Sequence, residues 1–393
     1  MLSIKLFPAE YGDCIMVSVG KEKPYHILID GGLSKTYQKH IKSEIQRIKE
    51  MEQKIGLMVC THMDNDHICG LIQALKETSS DFIENIWYNG LLQIVDSPFY
   101  SQKEDRFTDG DNKILDEIIS QGMISDTDQE IGINEGMSLG VLIEENKIPL
   151  NSVVEGQAIC SELIPDRYEI APNIFITVLG PSKNNITDLE KYWEKDMVSR
   201  NYMFRVSNKI KLTEAFEYQM ERITSKYKNE SFNISENECL EKYVGKLTEI
   251  DESIVNRSSI SFILEYDDKK CLFLGDTVID ETILKNIENV VGFEYRFSAI
   301  KLPHHGSRYN ITHDFINRYN ADEYYCLTNS VRYSHPDLEV LAALLCKDSK
   351  FKKIIFNYPI DKAHFLDKEE WKEKYNYEII KGDGKTIVER MFE

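Results

Sequence analysis

Thr61-His62-Met63-Asp64-Asn65-Asp66-His67-Ile68-Cys69-Gly70 follows directly on the apolar run Gly56 to Cys60. That run reads as a buried strand, and a helical pattern starts at about Gly70 and ends near Lys76, so the polar residues sit on a strand-to-helix turn. His62, Asp64, Asp66 and His67 put four metal-capable side chains within six positions. On such a turn they can fan around one point, where a cation offsets their mutual repulsion. The plainer alternative is an acidic loop in which Asp66 caps the following helix and His67 lies on the surface. The order His, Asp, Asp, His directly after a strand favours the metal.

Upstream, Met1 to Phe7 alternates apolar and polar, Cys14 to Val19 is a second short run, and Tyr25 to Ile29 is a third, ending in Asp30-Gly31-Gly32. Three strands in succession predict a sheet edge built early. Ser34 to Glu50, with Ile41, Ile45 and Ile48, reads as an amphipathic helix. A strand at Ile83 to Tyr88 completes a βαβ-like unit around the motif. Beyond it, about 91–161 is mixed helical and turn-rich sequence that includes Ile114 to Ile119, and Asn173 to Leu179 returns as a strand closed by Gly180-Pro181. The segment of about 184–254 is polar and Tyr-rich with helical spacing at Leu212, Phe216, Met220 and Ile223. The two segments read as insertions into one domain spanning 1–393, whose core comprises 1–90, 162–183 and 255–393. In the last part, Ile260 to Tyr266 and Lys270 to Leu274 predict a hairpin around Asp267-Asp268, followed by a helix, the strand Phe297 to Leu302, and further helices and strands.

Two later segments supply donors of the same kind. Leu272-Phe273-Leu274-Gly275-Asp276 places a carboxylate at the mouth of a strand, after a glycine that allows close backbone approach. Lys301-Leu302-Pro303-His304-His305-Gly306-Ser307 repeats the arrangement with two histidines. Gly-Asp alone is usually a turn and His-His alone usually surface, but all three groups at strand ends in one chain point to a shared site.

These segments, with Tyr11-Gly12-Asp13-Cys14, Asp30-Gly31-Gly32, Asn173 to Pro181 and Tyr333-Ser334-His335-Pro336, resemble the metallo-β-lactamase fold. Within it they look most like the soluble hydrolase domain of ComEC-type competence proteins and their free-standing relatives. The resemblance implies an α/β four-layer αβ/βα sandwich with two mainly helical insertions and two divalent ions, Zn²⁺ or Mn²⁺, at one edge. It also implies that His62 and Asp64 bind one ion, that Asp66, His67 and His304 bind the other, and that Asp276 bridges. Asp64 stands where the broader fold has a histidine, and the oxygen-rich donor set shifts preference toward harder ions such as Mn²⁺. A histidine normally found before the bridging carboxylate is missing, because the matching region reads Asn256-Arg257-Ser258-Ser259. His305 and His335 are the candidates to replace it or to protonate a leaving group, and Asp30 stands behind the ligands or joins them.

Two cations about 3.5 to 4 Å apart would ionise a water and stabilise the developing oxyanion, so hydrolysis is the implied reaction. Asp66, His67, Asp276, His305 and Lys301 are the catalytic candidates, with Lys301 in a position along the chain to neutralise a phosphate oxygen. A nucleic-acid or nucleotide phosphodiester is the expected substrate, since the resembling domains are nucleases. The alternatives are a lactone, ester or thioester hydrolase, and a non-catalytic sensor or scaffold in a multi-protein assembly. Free-standing relatives resemble components of bacterial anti-phage defence, which implies a protein partner such as an ATPase or effector, or a homo-oligomer.

Composition narrows these choices. With a net charge of -19, the average surface repels polyanions, so phosphate has to be met locally. One local source is Arg200, Arg205, Lys209, Lys211, Arg222, Lys226 and Lys228, set against Glu214, Glu217 and Glu221. With Tyr202, Phe204, Tyr218 and Tyr227 interleaved, this island could stack single-stranded nucleic acid, unless its aromatics pack inward. The eight cysteines are scattered without a C-x-x-C pair and read as reduced thiols. Met1 to Cys14 carries Lys5, Glu10 and Asp13 and so lacks a signal peptide's apolar stretch, and no run approaches the roughly 18 apolar residues of a membrane span. The expected location is cytoplasmic, away from any membrane.

Overall fold

The computed structural model describes residues 1–95, 109–124, 138–202, 209–221, 239–245, 247, 249–348 and 350–393. Alternating apolar residues build β1 (Leu2–Leu6), β2 (Ile15–Val19) and β3 (Tyr25–Ile29) as an antiparallel meander. Next come β4 (Ile55–Val59) and β5 (Ile86–Trp87), each parallel to its predecessor. The last strand of the chain, β14 (Val388–Phe392), pairs antiparallel with β1 and completes the sheet order β14-β1-β2-β3-β4-β5. The expectation that the first strands form a sheet edge is therefore corrected. The edges are β14 and β5, because the C-terminus returns across the molecule to cover β1.

The second sheet contains β6 (Tyr168–Ala171), β7 (Ile174–Gly180), β8 (Ser261–Tyr266), β9 (Lys269–Phe273), β10 (Tyr295–Lys301), β11 (Tyr319–Cys326), β12 (Lys352–Phe356) and β13 (Tyr377–Lys381). Its order is the exact reverse of the chain order, β13 to β6, antiparallel through β9 and parallel from β9 to β13. The hairpin turns at Asp267, whose φ of 52° is the left-handed value such a turn needs.

Strand parity sets the layers. Ile4, Val17, Ile27 and Leu57 point from the first sheet into a core shared with Ile176, Phe262, Phe273 and Ile355 of the second. Residues of the other parity face away: Met16, Leu28 and Met58 pack with helical Ile45, Ile48 and Leu71, while Ile263, Leu272 and Ile354 pack with Ile287, Phe315 and Leu341. Helix, sheet, sheet, helix is the four-layer αβ/βα order that the motif resemblance implies.

The outer layer on the first sheet starts with α1 (Ser34–Thr36), which passes through a π turn into α2 (Lys42–Glu50). The next helix, α3 (Asn65–Glu77), begins at the motif itself, five residues before the predicted start, so Asp66 and His67 lie in its first turn. Asp64 occupies the capping position without using its side chain as a cap, and His67 is fully buried. The acidic-loop alternative, with His67 on the surface, is thereby excluded. After α4 (Leu91–Ile94), the helices α5 (Asp109–Ile124), α6 (Leu139–Asn146), α7 (Lys183–Ser199) and α8 (Lys209–Glu221) belong to the two segments read as insertions. These helices pack on one another, and α6 also packs on α3. The short α9 (Ile254–Arg257) leads back into β8. Facing the second sheet are α10 (Glu281–Val291), α11 (His313–Arg318), α12 (Leu338–Cys346), α13 (Asp361–Leu366) and α14 (Glu369–Tyr375). No helix among the described residues is long and apolar enough to cross a membrane.

One buried carboxylate ties this helical layer together, and a second lies near enough to feel its charge. Buried Glu217 of α8 accepts the Leu139 and Gly140 amides at 2.9 Å, at the start of α6, and the Tyr88 hydroxyl at 2.7 Å. Burial raises its carboxyl to about 6, against the pull of these donors. Burial, then the charge of Glu217, raises Glu214 to about 7. A carboxyl whose folded pKa is raised binds more protons folded than unfolded, so stability falls as pH rises through that interval. We expect chemical denaturation at stepped pH to show that loss between about pH 5 and about pH 7.5. In Glu217→Gln the decline should be shallower; an equal slope in both proteins would contradict the assignment.

Candidate metal centre

The site lies where strands of both sheets end. β4 runs into Thr61-His62, β3 into Asp30, β9 into Gly275-Asp276, and β10 into Lys301 to His305, while the turn after β1 supplies Asp13. These are the carboxyl ends of strands, the usual place for a site in an open sheet. Close backbone approach makes this convergence possible. Gly31 and Gly70 touch so tightly that a Cβ on either would collide with the other's backbone, which seats α3 against the end of β3. Asp30, His304 and His305 all hold left-handed backbone, with φ of 54°, 45° and 56°. For non-glycine residues such strain persists only where surrounding contacts enforce it, and it concentrates at working sites.

Each of four histidines has its Nδ1 occupied from behind. His67 Nδ1 lies 2.9 Å from Asp30 Oδ2, His62 Nδ1 3.0 Å from Thr61 Oγ1, His304 Nδ1 3.0 Å from Asn310 Oδ1, and His305 Nδ1 2.8 Å from the Leu327 carbonyl. The Thr61 hydroxyl itself donates to Asp30 at 2.8 Å. With Nδ1 as donor, each ring presents an Nε2 lone pair forward. Those four nitrogens converge on Asp276: His67 Nε2 is 3.5 Å from Oδ1, while His304, His62 and His305 are 3.6, 3.8 and 3.9 Å from Oδ2. His305 Nε2 also lies 3.6 Å from Asp66 Oδ2, and His62 Nε2 3.6 Å from Asp64 Oδ2. Among buried atoms without a hydrogen-bond partner are Nε2 of His62, His67 and His305, Oδ1 of Asp64 and Oδ1 of Asp276. Buried nitrogen and oxygen acceptors aimed together and unsatisfied by protein fit a divalent cation. His62, His67 and Asp276 form one compact donor triplet, and Asp66, His67 and His305 another.

The pocket concentrates negative charge and holds positive charge against it. Burial alone would raise Asp66, but the neighbouring His305 ring and the charge of His67 bring it to about 2. Burial disfavours charged His305, yet Asp13 and Asp276 lift it to about 9. His67 moves up for the same reason, through Asp276 and Asp30. Such a pocket attracts cations.

Not every sequence expectation survives. The resemblance grouped His304 with Asp66 and His67; the structure sets His305 beside Asp66 instead, and His304 beside Asp276. Asn256, at the position of the missing histidine, joins Asp251 and Asn310 behind His304. Lys301 is not available to a substrate phosphate. It is 2 % exposed, its ammonium ion-pairs with Asp13 and donates to the Gly275 carbonyl at 2.9 Å, and Asp276 Oδ1 is 3.7 Å away. Asp30 stands behind His67 and Thr61. His335 packs 5.2 Å from the His304 ring with Nδ1 toward Asp337, and burial lowers its pKa, which disfavours it as a proton donor. The described part of the proposed stacking island has its aromatics turned inward and its cations in ion pairs. Tyr202 and Tyr218 are buried, and Arg200, Lys209 and Lys211 pair with Asp196, Glu144 and Asp116. Arg205, Arg222, Lys226, Lys228, Phe204 and Tyr227 lie outside the described residues. Sequence reasoning missed Asp13 as a site residue, although it stands inside the quoted Tyr11-Gly12-Asp13-Cys14 segment. Asp251 carried no motif that could have flagged it.

No family model matches the chain, and no curated protein matches it. A metallo-β-lactamase-fold protein is among the similar solved structures. It is YhfI of Bacillus subtilis, at 8% identity and a TM-score of 0.36, covering 99% of this chain and 100% of that one. Zn²⁺-bound PqqB of Methylobacterium extorquens is similar at 9% identity and a TM-score of 0.38, with 99% and 100% covered.

Two substitutions test the support behind the centre. Asp30→Asn keeps a residue that tolerates left-handed backbone but removes the charge behind His67. It should weaken Zn²⁺ or Mn²⁺ affinity about 10- to 100-fold, read by competition with a chromophoric chelator, with the far-UV spectrum preserved. Lys301→Met leaves the buried Asp13 carboxylate with His305 as its remaining partner, at 3.2 Å, and should cost about 3–5 kcal/mol in urea unfolding. A loss below about 1 kcal/mol would mean that Asp13 does not depend on this lysine.

Proposed function

We propose that the chain is a metal-dependent hydrolase of a small phosphodiester. The observation that carries it is the orientation of four histidines, each fixed through Nδ1 so that Nε2 faces Asp276. His62, Asp64, His304 and Asp276 would hold one divalent ion, and Asp66, His67, His305 and Asp276 the other. Bound there, the ions would lower the pKa of a water and share the charge that builds on the substrate's oxygens. The chain's own part is to keep the donors in place: Asp30 orients His67, Asp251 and Asn310 support His304, and Lys301 with Asp13 braces Asp276. Burial around these groups excludes bulk water, which strengthens every charge interaction at the centre.

The phosphodiester reading draws on carboxylate-rich donors and on the likeness of the motifs to ComEC-type nuclease domains. A small diester, such as a cyclic nucleotide or short single strand, fits better than a long polyanion. The net charge of -19 repels the latter, and the described cations of α8 are already paired. The burial of Lys301 gives weight to a second reading, hydrolysis of an uncharged ester, lactone or thioester. A role in anti-phage defence beside an ATPase or other effector rests on the motif likeness, and co-purification with a stable partner would support it.

Purified protein loaded with Mn²⁺ or Zn²⁺ should hydrolyse bis(p-nitrophenyl) phosphate and cyclic or linear dinucleotides faster than p-nitrophenyl acetate or a simple lactone. Asp66→Ala and His67→Ala should reduce turnover to background. A metal-replete preparation inert toward every diester yet active on the neutral compounds would transfer the assignment to the second reading.

A further inference from the structure

With Lys301 committed to Asp13, a substrate anion has to be met by a different cation, and one stands on the loop between β11 and α12. The Arg332 guanidinium carbon lies 5.0 Å from the Tyr11 ring centroid and 5.1 Å from that of Tyr333, so it is held between two aromatic rings. It also hydrogen-bonds Tyr11, and Asp66 is close enough for its charge to act on the guanidinium. Arg332 is exposed and Tyr333 half-buried, which leaves the outer side of the clamp open to solvent.

Both jaws are anchored to the centre. Tyr11 belongs to the turn that delivers Asp13 beside Lys301 and His305. Tyr333 stacks on His335 at 6.0 Å and 24°, and lies 6.2 Å from the His304 ring. The loop base is tied down as well. The Asn329 amide donates to the Glu10 carbonyl at 2.7 Å, its side chain donates to Glu10 Oε2 at 2.9 Å, and Ser330 Oγ bonds the His335 carbonyl. Ser330 and Ser334 both hold left-handed backbone, at φ 60° and 55°, so the loop carries strain that these contacts keep in place. A guanidinium held in this way is preorganised: its fork of donors matches the oxygens of a phosphoryl group, and its charge balances a ligand arriving beside many carboxylates.

We propose that Arg332, held between Tyr11 and Tyr333, binds the substrate's phosphoryl group beside the carboxylate and histidine centre. The inference rests on the phosphodiester reading above. Tyr333 then forms the wall along which the group esterified to phosphate lies, and an aromatic or nucleobase substituent gains by stacking there.

The test compares the metal-loaded wild type with Arg332→Ala and Arg332→Lys, using bis(p-nitrophenyl) phosphate as substrate and orthophosphate as competitive inhibitor. Arg332→Ala should raise both KM and the inhibition constant about tenfold, the loss of one charge-assisted contact, with KM changing more than kcat. Arg332→Lys keeps the charge without the fork and should recover part of that loss. Metal content by elemental analysis should match the wild type in both variants, which separates lost substrate binding from a damaged centre. Unchanged KM and inhibition constant in a metal-replete Arg332→Ala protein would overturn the assignment of Arg332 alone. A wild type that turns over no diester would bring down the phosphodiester reading and this inference with it.

Discussion

Asp13, Asp30, Asp66 and Asp276 are all buried around one pocket, with Asp64 at its rim. Carboxylates cannot stay ionised together out of water unless positive charge is brought among them. Much of the surrounding structure answers that constraint. Lys301 is drawn fully inside to pair with Asp13, and His67 and His305 are held in the fields of Asp30, Asp276 and Asp13. Their Nε2 atoms lack protein partners, so the protein supplies orientation, and a divalent ion, taking the place of the protons these carboxylates otherwise draw onto the rings, would complete the charge balance.

The fold makes this concentration of charge affordable by spreading the donors over rigid elements. They come from the ends of β3, β4, β9 and β10 and from the turn after β1, in two sheets that share a dry core. A displaced strand would move one donor relative to the rest. The C-terminal β14 covers β1, and the chain end thereby helps to hold the turn that carries Asp13. From the segments read as insertions, α6 packs on α3 and α8 reaches it through Glu221, which accepts a hydrogen bond from Asn65 of the motif. The helix that begins at the motif is thus braced from its outer side.

Much of this was legible in the chain itself. Strand runs such as Tyr25 to Ile29 and Asn173 to Leu179 carried a strong period-two or continuous apolar signal, and the donors lay in short motifs at their ends. What was hidden was long-range. Local pattern could not show that β14 returns to β1 across the whole chain, or that Tyr202 and Tyr218 turn inward. Adjacent residues posed the hardest case. His304 and His305 look equivalent in sequence, and their roles separate only because consecutive left-handed conformations aim one ring toward Asn310 and the other toward Leu327.

Lys301 shows why a residue's type and neighbourhood along the chain do not settle its role. A lysine three residues before a histidine pair reads as a phosphate contact, yet β10 places it on the interior side of the turn, where Asp13 and the Gly275 carbonyl take its donors. A buried lysine that left that pair for a substrate would abandon Asp13 in a dry pocket, at a cost larger than one phosphate contact returns. Its charge therefore serves the carboxylates of the centre, and the anion of the proposed diester substrate would be met at the rim, where a cation can reach it without uncovering an internal charge.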